Sequence, residues 1–126
     1  MSSVIHSTIA AGDTMADQYE TVNQLTDAAP ASNLSTVEWL LKNDLKDADA
    51  SAVLTRRSDG ADAANKVIID DAVNWKYTVK ADSTATAAIS PGRYKQVCMT
   101  IDAAGNEVEA FRGDFVVLPR ASDAAS

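Results

Sequence analysis

Residues 90–119 read SPGRYKQVCMTIDAAGNEVEAFRGDFVVLP, and this stretch states its own conformation. Pro91-Gly92 cannot continue a regular element, Arg93 to Ile101 runs extended, and Asp102-Ala-Ala-Gly105-Asn106 supplies a reversal in residues that tolerate positive φ. The chain returns through Glu107 to Leu118 and Pro119 ends the pairing, so the pattern predicts a β-hairpin. On the outgoing arm Val97, Met99 and Ile101 share a face with Lys95, while Tyr94, Gln96, Cys98 and Thr100 share the other. The two faces differ in polarity, which points the Val97 and Ile101 face inward. On the return arm Gly113 breaks the alternation and predicts a bulge that brings Phe115 and Val117 back to the core.

Upstream, Asn74 to Lys80 alternates Trp75, Tyr77 and Val79 with Lys76, Thr78 and Lys80, and Thr36 to Leu41 sets Val37, Trp39 and Leu41 on one face. Both read as strands packed on one side. Ala52 to Arg57 and Lys66 to Asp70 are shorter strand candidates, joined as a hairpin by the turn signal Asp59-Gly60. Gly12 to Leu25 is a weaker strand, Asp27 to Asn33 with Pro30 is a connection, and Ala81 to Ser90 is a turn of helix or a crossover. The strands centre near residues 17, 38, 54, 68, 77, 97 and 112. That is the strand count of an all-β, immunoglobulin-like antiparallel β-sandwich, here without the Cys-Trp-Cys signature of antibody domains. Its core is expected to hold Trp39, Trp75, Tyr77, Val97, Ile101 and Phe115. Tyr94, near the start of the sixth strand, is placed for a tyrosine-corner contact or for plain packing.

A chain of 126 residues, 46% hydrophobic, suits one domain. We divide it into an N-terminal arm (1–12), the sandwich (13–119) and a polar tail (120–126). The net charge of −7, with 11 Lys and Arg residues scattered along the sequence, argues against a nucleic-acid partner. The single cysteine, Cys98, makes no internal disulfide, which fits assembly in a reducing cytoplasm, and it reads as a small strand residue. No run approaches the ~20 apolar residues of a membrane helix, and Val4 to Ile9 lacks a basic leader, so neither membrane nor secretory targeting is expected.

Catalytic chemistry finds no footing. The only histidine, His6, lies in the arm, no Gly-x-Ser-x-Gly is present, and the five glycines are dispersed. Asp44, Asp47 and Asp49 suggest a calcium loop, but with Asp47 first, Ala52 stands where glycine is needed and Ser58 where glutamate is needed. Arg56-Arg57 is read as pairing with nearby aspartates rather than as an anion site. No catalytic, cofactor-binding or metal-ligating residue is therefore assigned. In the arm, Val4, Ile5 and Ile9 have no reason to face water. They are assigned to partner binding through an extended segment, mobile in the free protein and ordered on a neighbouring sheet edge.

Pro91-Gly92-Arg93-Tyr94, the Asp102 to Asn106 reversal and the closing Gly113-Asp-Phe-Val-Val-Leu-Pro119 resemble the ending of small immunoglobulin-like structural proteins of tailed bacteriophages. Gly12-Asp13-Thr14 and Trp39-Leu40-Leu41 fit the front of that pattern more loosely. The resemblance implies a non-enzymatic virion protein that docks on the capsid or the head-to-tail connector, as a decoration or joining component. Its implied partners are other virion structural proteins in many symmetric copies. Two other classes compete: a tail or baseplate module that recognises a host glycan or protein, and a small hydrolase. Exposed aromatics in the loops are the mark of the binding module.

Overall fold

The computed structural model describes residues 3–21 and 32–119 and arranges them as two facing β-sheets. In chain order the elements are β1 (Ser3–Val4), β2 (Ser7–Ala10), β3 (Met15–Glu20), β4 (Leu34–Lys42), β5 (Leu54–Arg57), β6 (Val67–Asp71), β7 (Lys76–Ala81), the short helix α1 (Ser83–Ala87), β8 (Gly92–Asp102) and β9 (Glu107–Leu118). The larger sheet has the order β1-β9-β8-β4-β5, with β2 also on β9, and the smaller is β3-β7-β6. Pairing is antiparallel except where β1 and β2 run parallel to β9. This division of strands between the layers is that of an immunoglobulin-like sandwich with one additional strand beside the third. The expected connection through Pro30, the end of the first expected strand at Val22 to Leu25, and the tail at 120–126 lie outside the described residues.

Trp39, Tyr77, Phe111 and Phe115 are fully buried between the layers, with Met15, Val37, Leu41, Val67, Val79 and Val117 around them. Trp39 meets Phe115 edge-on at 5.6 Å, and Tyr19 from the small sheet meets Phe111 at 4.6 Å. Such ring pairs add about 0.5–1.5 kcal/mol each beyond the area they bury. Tyr94 Oη donates to the Ser90 carbonyl, which ties β8 to the turn after α1 in the manner of a tyrosine corner. Asp82 caps α1 by accepting from the Ala85 amide at 2.8 Å.

Three expectations are corrected. The inward face of β8 is the polar one, carrying Tyr94, Gln96, Cys98 and Thr100, all buried. Each polar group there has an internal partner, so burial leaves nothing unpaired: Gln96 bonds Trp39, Thr100 Oγ1 donates to the Val108 carbonyl at 3.0 Å, and Cys98 lies 3.7 Å from Tyr77 Oη. Val97 and Ile101 fall on the opposite, outer face and outside the cluster between the sheets, Val97 buried there as expected at 8% exposure and Ile101 half-buried. Second, the bulge in β9 comes earlier than Gly113: the register steps from Cys98↔Phe111 to Met99↔Glu109, leaving Ala110 as the extra residue. Third, β5 and β6 make no hairpin. β5 pairs with β4 and β6 with β7, so the Asp59-Gly60 turn carries the chain from one sheet to the other. Arg56 spans that crossing, donating to the Lys80 carbonyl at 3.1 Å and to Asn65 Oδ1 at 3.1 Å.

Gly113 has a different task from the one expected. A Cβ there would lie 1.9 Å from the Ile5 carbonyl oxygen, because the N-terminal segment crosses β9 at this point. Gly113→Ala should therefore lift the segment from β9 and destabilise the fold by ~1–3 kcal/mol, read from denaturant midpoints. Unchanged stability would mean that the segment is not seated here. Trp75 precedes β7 at φ 55°, an uncommon backbone for a tryptophan, and its ring is 3% exposed with Nε1 donating to the Ser32 carbonyl at 2.8 Å. Trp75→Ala should cost ~3–5 kcal/mol. A loss below ~1 kcal/mol would show that the ring is not a core member.

Candidate docking face

The outer face of the larger sheet is built from rows of side chains that register brings into line. Glu38 pairs with Arg57 on one side and Met99 on the other, and Met99 with Glu109. The next row runs Thr55, Leu40, Val97, Arg112, and the one beyond it Lys42, Lys95, Asp114. Leu40, Val97 and Met99 thus lie side by side in a strip across β4 and β8, Leu40 2% and Val97 8% exposed and Met99 half-buried; the first row ends in Arg57 and Glu109, the second in Thr55 and Arg112. Leu45, from the loop after β4, borders the same groove of ≈ 250 Å³.

The charges around the strip are mutually compensated. Arg57 Nη1 pairs with Glu38, Arg112 Nη2 lies 2.7 Å from Glu109 Oε1, and Lys95 pairs with Asp114. Hydrogen bonds donated to Asp59 and then to Glu38 hold the Arg57 guanidinium above its usual range, Glu109 does the same for Arg112, and Lys95 holds the Asp114 carboxyl below its own. These exposed pairs are worth little individually. They fix charged side-chain positions around half-buried Met99 and over buried Leu40 and Val97, and an ordered charge pattern of this kind can set the orientation of a docking partner.

The acidic loop next to the groove is closed by a lysine. Lys42 Nζ, with a side chain only 7% exposed, donates to the Asp47 carbonyl at 2.9 Å and to Asp49 Oδ1 at 2.7 Å. Asp44 and Asp47 are turned to their own backbone, accepting from the Lys46 and Asp44 amides at 3.0 and 3.2 Å. The position a cation would fill is taken by an ammonium group. Among the described residues no group of three or more His, Cys, Asp or Glu converges on a point that would hold a metal ion.

Of the residues assigned to partner binding, Val4 is 68% exposed, while Ile5 and Ile9 are half-buried against the core. The segment that was expected to order on a partner is paired within its own chain. Ile5 N–H donates to the Arg112 carbonyl at 2.9 Å, and Ala11 N–H to the Leu118 carbonyl at 2.9 Å. His6 Nδ1 accepts from the Asp114 amide at 3.0 Å. The outer-face strip escaped sequence reading because Val97 and Met99 were turned inward there. The apolar Leu40-Leu41 pair, which puts a large side chain on each face of β4, was its available signal.

No protein-family model matches the chain, and no curated protein matches it. Among solved structures it is similar to CopC from Methylosinus trichosporium OB3b, with 12% identity and a TM-score of 0.48 over 93% of this chain and 87% of that one.

Titration of the fold has a definite direction on each side of neutrality. Hydrogen bonds to Asp59, Asp62, Asp71, Asp82, Asp102 and Asp114 hold those carboxyls below the usual aspartate range in the folded protein. The unfolded chain binds their protons first, so the stability they contribute is present above about pH 4 and is lost below it. Asp17 opposes this, its carboxyl raised by burial. At the alkaline end burial pushes Cys98 and Tyr19 up to about 12, and Tyr77 higher still. Those groups ionise first in the unfolded chain, so stability falls above about pH 9. The denaturant midpoint should form a plateau between about pH 5 and 8.5 with losses on both sides, and native Cys98 should resist thiol reagents. A flat profile to pH 11, or rapid labelling of the native protein, contradicts the burial of this cluster.

Proposed function

We propose that the protein is a non-enzymatic structural component of a tailed-phage virion, docking through the outer face of its larger sheet on the capsid or the head-to-tail connector. The single observation that carries a docking role is the ordering of the outer face, where half-buried Met99 lies between Glu38 and Glu109 among oriented ion pairs, over a floor of buried Leu40 and Val97. The virion setting rests on the sequence resemblance of the β8–β9 hairpin and its flanks. Its partners on this reading are other virion proteins in many symmetric copies, assembled in the host cytoplasm, without nucleic acid or membrane.

The competing role as a glycan- or host-protein-binding module draws less support. All of the two tryptophans, three tyrosines and two phenylalanines lie among the described residues. Tyr19 is half-buried and the others are buried, so no aromatic platform faces solvent. Sugar rings are commonly held on such platforms, and the groove here offers aliphatic side chains instead.

The test uses particles of the phage that encodes the chain. Quantitative mass spectrometry should find the protein in many copies per particle. Met99→Glu places a carboxylate in the strip between Glu38 and Glu109 without touching the inter-sheet core. It should leave the melting temperature within a few degrees and reduce incorporation at least tenfold. Absence from purified particles would overturn the virion reading, and normal incorporation of Met99→Glu would move the contact to another surface.

A further inference from the structure

The N-terminal segment occupies a seat on β9 that is shaped for it and held by bonds that any copy of the same segment can make. The floor of the seat is Gly113, where no other residue leaves room for the Ile5 carbonyl. Its wall is Gln96, fully buried, whose Nε2 donates to the Ile5 carbonyl at 2.9 Å and to Ser7 Oγ at 3.1 Å. Asp114 N–H donates to His6 Nδ1 beside it. An empty seat would leave Gln96 Nε2 without the partners it has in the segment, its Oε1 still accepting from Trp39, so filling the seat is favoured.

We propose that this seat is a strand-acceptor site, and that residues 3–10 of a second copy of the chain occupy it when copies are concentrated, joining them by exchange of β1–β2. The proposal goes beyond the virion reading and does not depend on it. Three further observations support the second copy as the occupant. Among the described residues β1 and β2 end the larger sheet at this edge with no strand on their far side, and Val4 faces solvent. Residues 11–14, which join it to β3, form a tight turn with Gly12 at φ 88° and Asp13 N–H donating to the Ala10 carbonyl at 3.0 Å. Straightening that turn carries the segment away from its own β9 while the pairings among β3 to β9 are kept, and short turns of this kind favour exchange. Finally, residues 3–10 contain no carboxylate, lysine or arginine in a chain of net charge −7, so two copies approach there with the least repulsion.

Exchange makes the same bonds that it breaks. Its balance is set by the association entropy against release of the turn, so it is favoured by concentration and by an assembly that holds copies side by side. Thr8 and Val116 are register partners in this seat, and neither is in the inter-sheet core. The test combines two full-length single variants, Thr8→Cys and Val116→Cys, refolded together at high concentration and mildly oxidised, with products assigned by mass spectrometry. A variant of Val73, 60% exposed in the turn between β6 and β7, to cysteine serves as the collision control. The expected result is a Thr8→Cys to Val116→Cys disulfide between chains, at least tenfold over the control pair. Equal yields with the control mean random collision and overturn the proposal. A product linking two copies of Thr8→Cys without the mixed one means edge-to-edge contact and overturns it as well, as does the absence of any cross-link.

Discussion

A single carboxamide ties the N-terminal segment to the middle of the sandwich. Gln96 Oε1 accepts from Trp39 Nε1 at 3.1 Å, and its Nε2 donates to the segment that lies on β9. Both donors and the acceptor are used in a place without water, where each bond lost costs the desolvation of its partner, about 1–3 kcal/mol. The consequence is directional. Trp39 is held in the orientation that presents its edge to Phe115, and Ile5 is held over Gly113, so the packing of β4 on β9 and the docking of β1–β2 are fixed by the same residue. In antibody domains a disulfide packed against tryptophan stands at the heart of the sandwich. Here a glutamine is bonded to the tryptophan, which suits a chain with one cysteine.

That same residue explains where sequence reading succeeded and where it failed. Strands carrying Val37 and Trp39, or Tyr77 and Val79, were legible because their large apolar side chains alternate inward, Leu40 being the outward exception on β4. β8 was legible as a strand but not in its facing. Its inner positions, Tyr94, Gln96, Cys98 and Thr100, are polar by type and apolar by environment, since each polar group is consumed by a partner from another element. Polarity reports burial only when no internal partner exists, and the partners lie 4 to 91 residues away in sequence. The candidate face was lost with that reversal, since its strip is the outer side of the same strand. The bulge was placed at the wrong residue for a related reason: a glycine in a strand marks either a bulge or a close backbone approach, and the approaching segment is more than 100 residues distant.

The acidity of the chain has a structural use that lowers its value as a functional signal. Asp62, Asp71, Asp82 and Asp102 each accept amide hydrogen bonds from residues two to four positions ahead, closing the turns that reverse the strands. Asp44 does the same in the loop after β4. Carboxylates are suited to this because they satisfy backbone donors that a sharp turn leaves unpaired, and they carry a charge that keeps the turn at the surface. A reading that seeks catalytic pairs or metal cages among these aspartates is reading turn chemistry.

What is left for function after the turns are accounted for is a face whose charges are already paired and an edge whose strand is neutral. These two surfaces divide the work of association in a physically sensible way. On the proposed reading, a partner meeting the outer face covers Met99, Leu40 and Val97 being buried already, and the surrounding ion pairs, compensated within the chain, set orientation and on-rate more than affinity. At the β9 edge the bonds are main-chain and independent of net charge, so contact between like-charged copies is least opposed there. A protein at −7 that must meet its own copies would be repelled across most of its surface. The absence of carboxylates from residues 3–10, in a chain that otherwise uses them at nearly every turn, concentrates the possibility of self-contact where the fold already holds a strand in place.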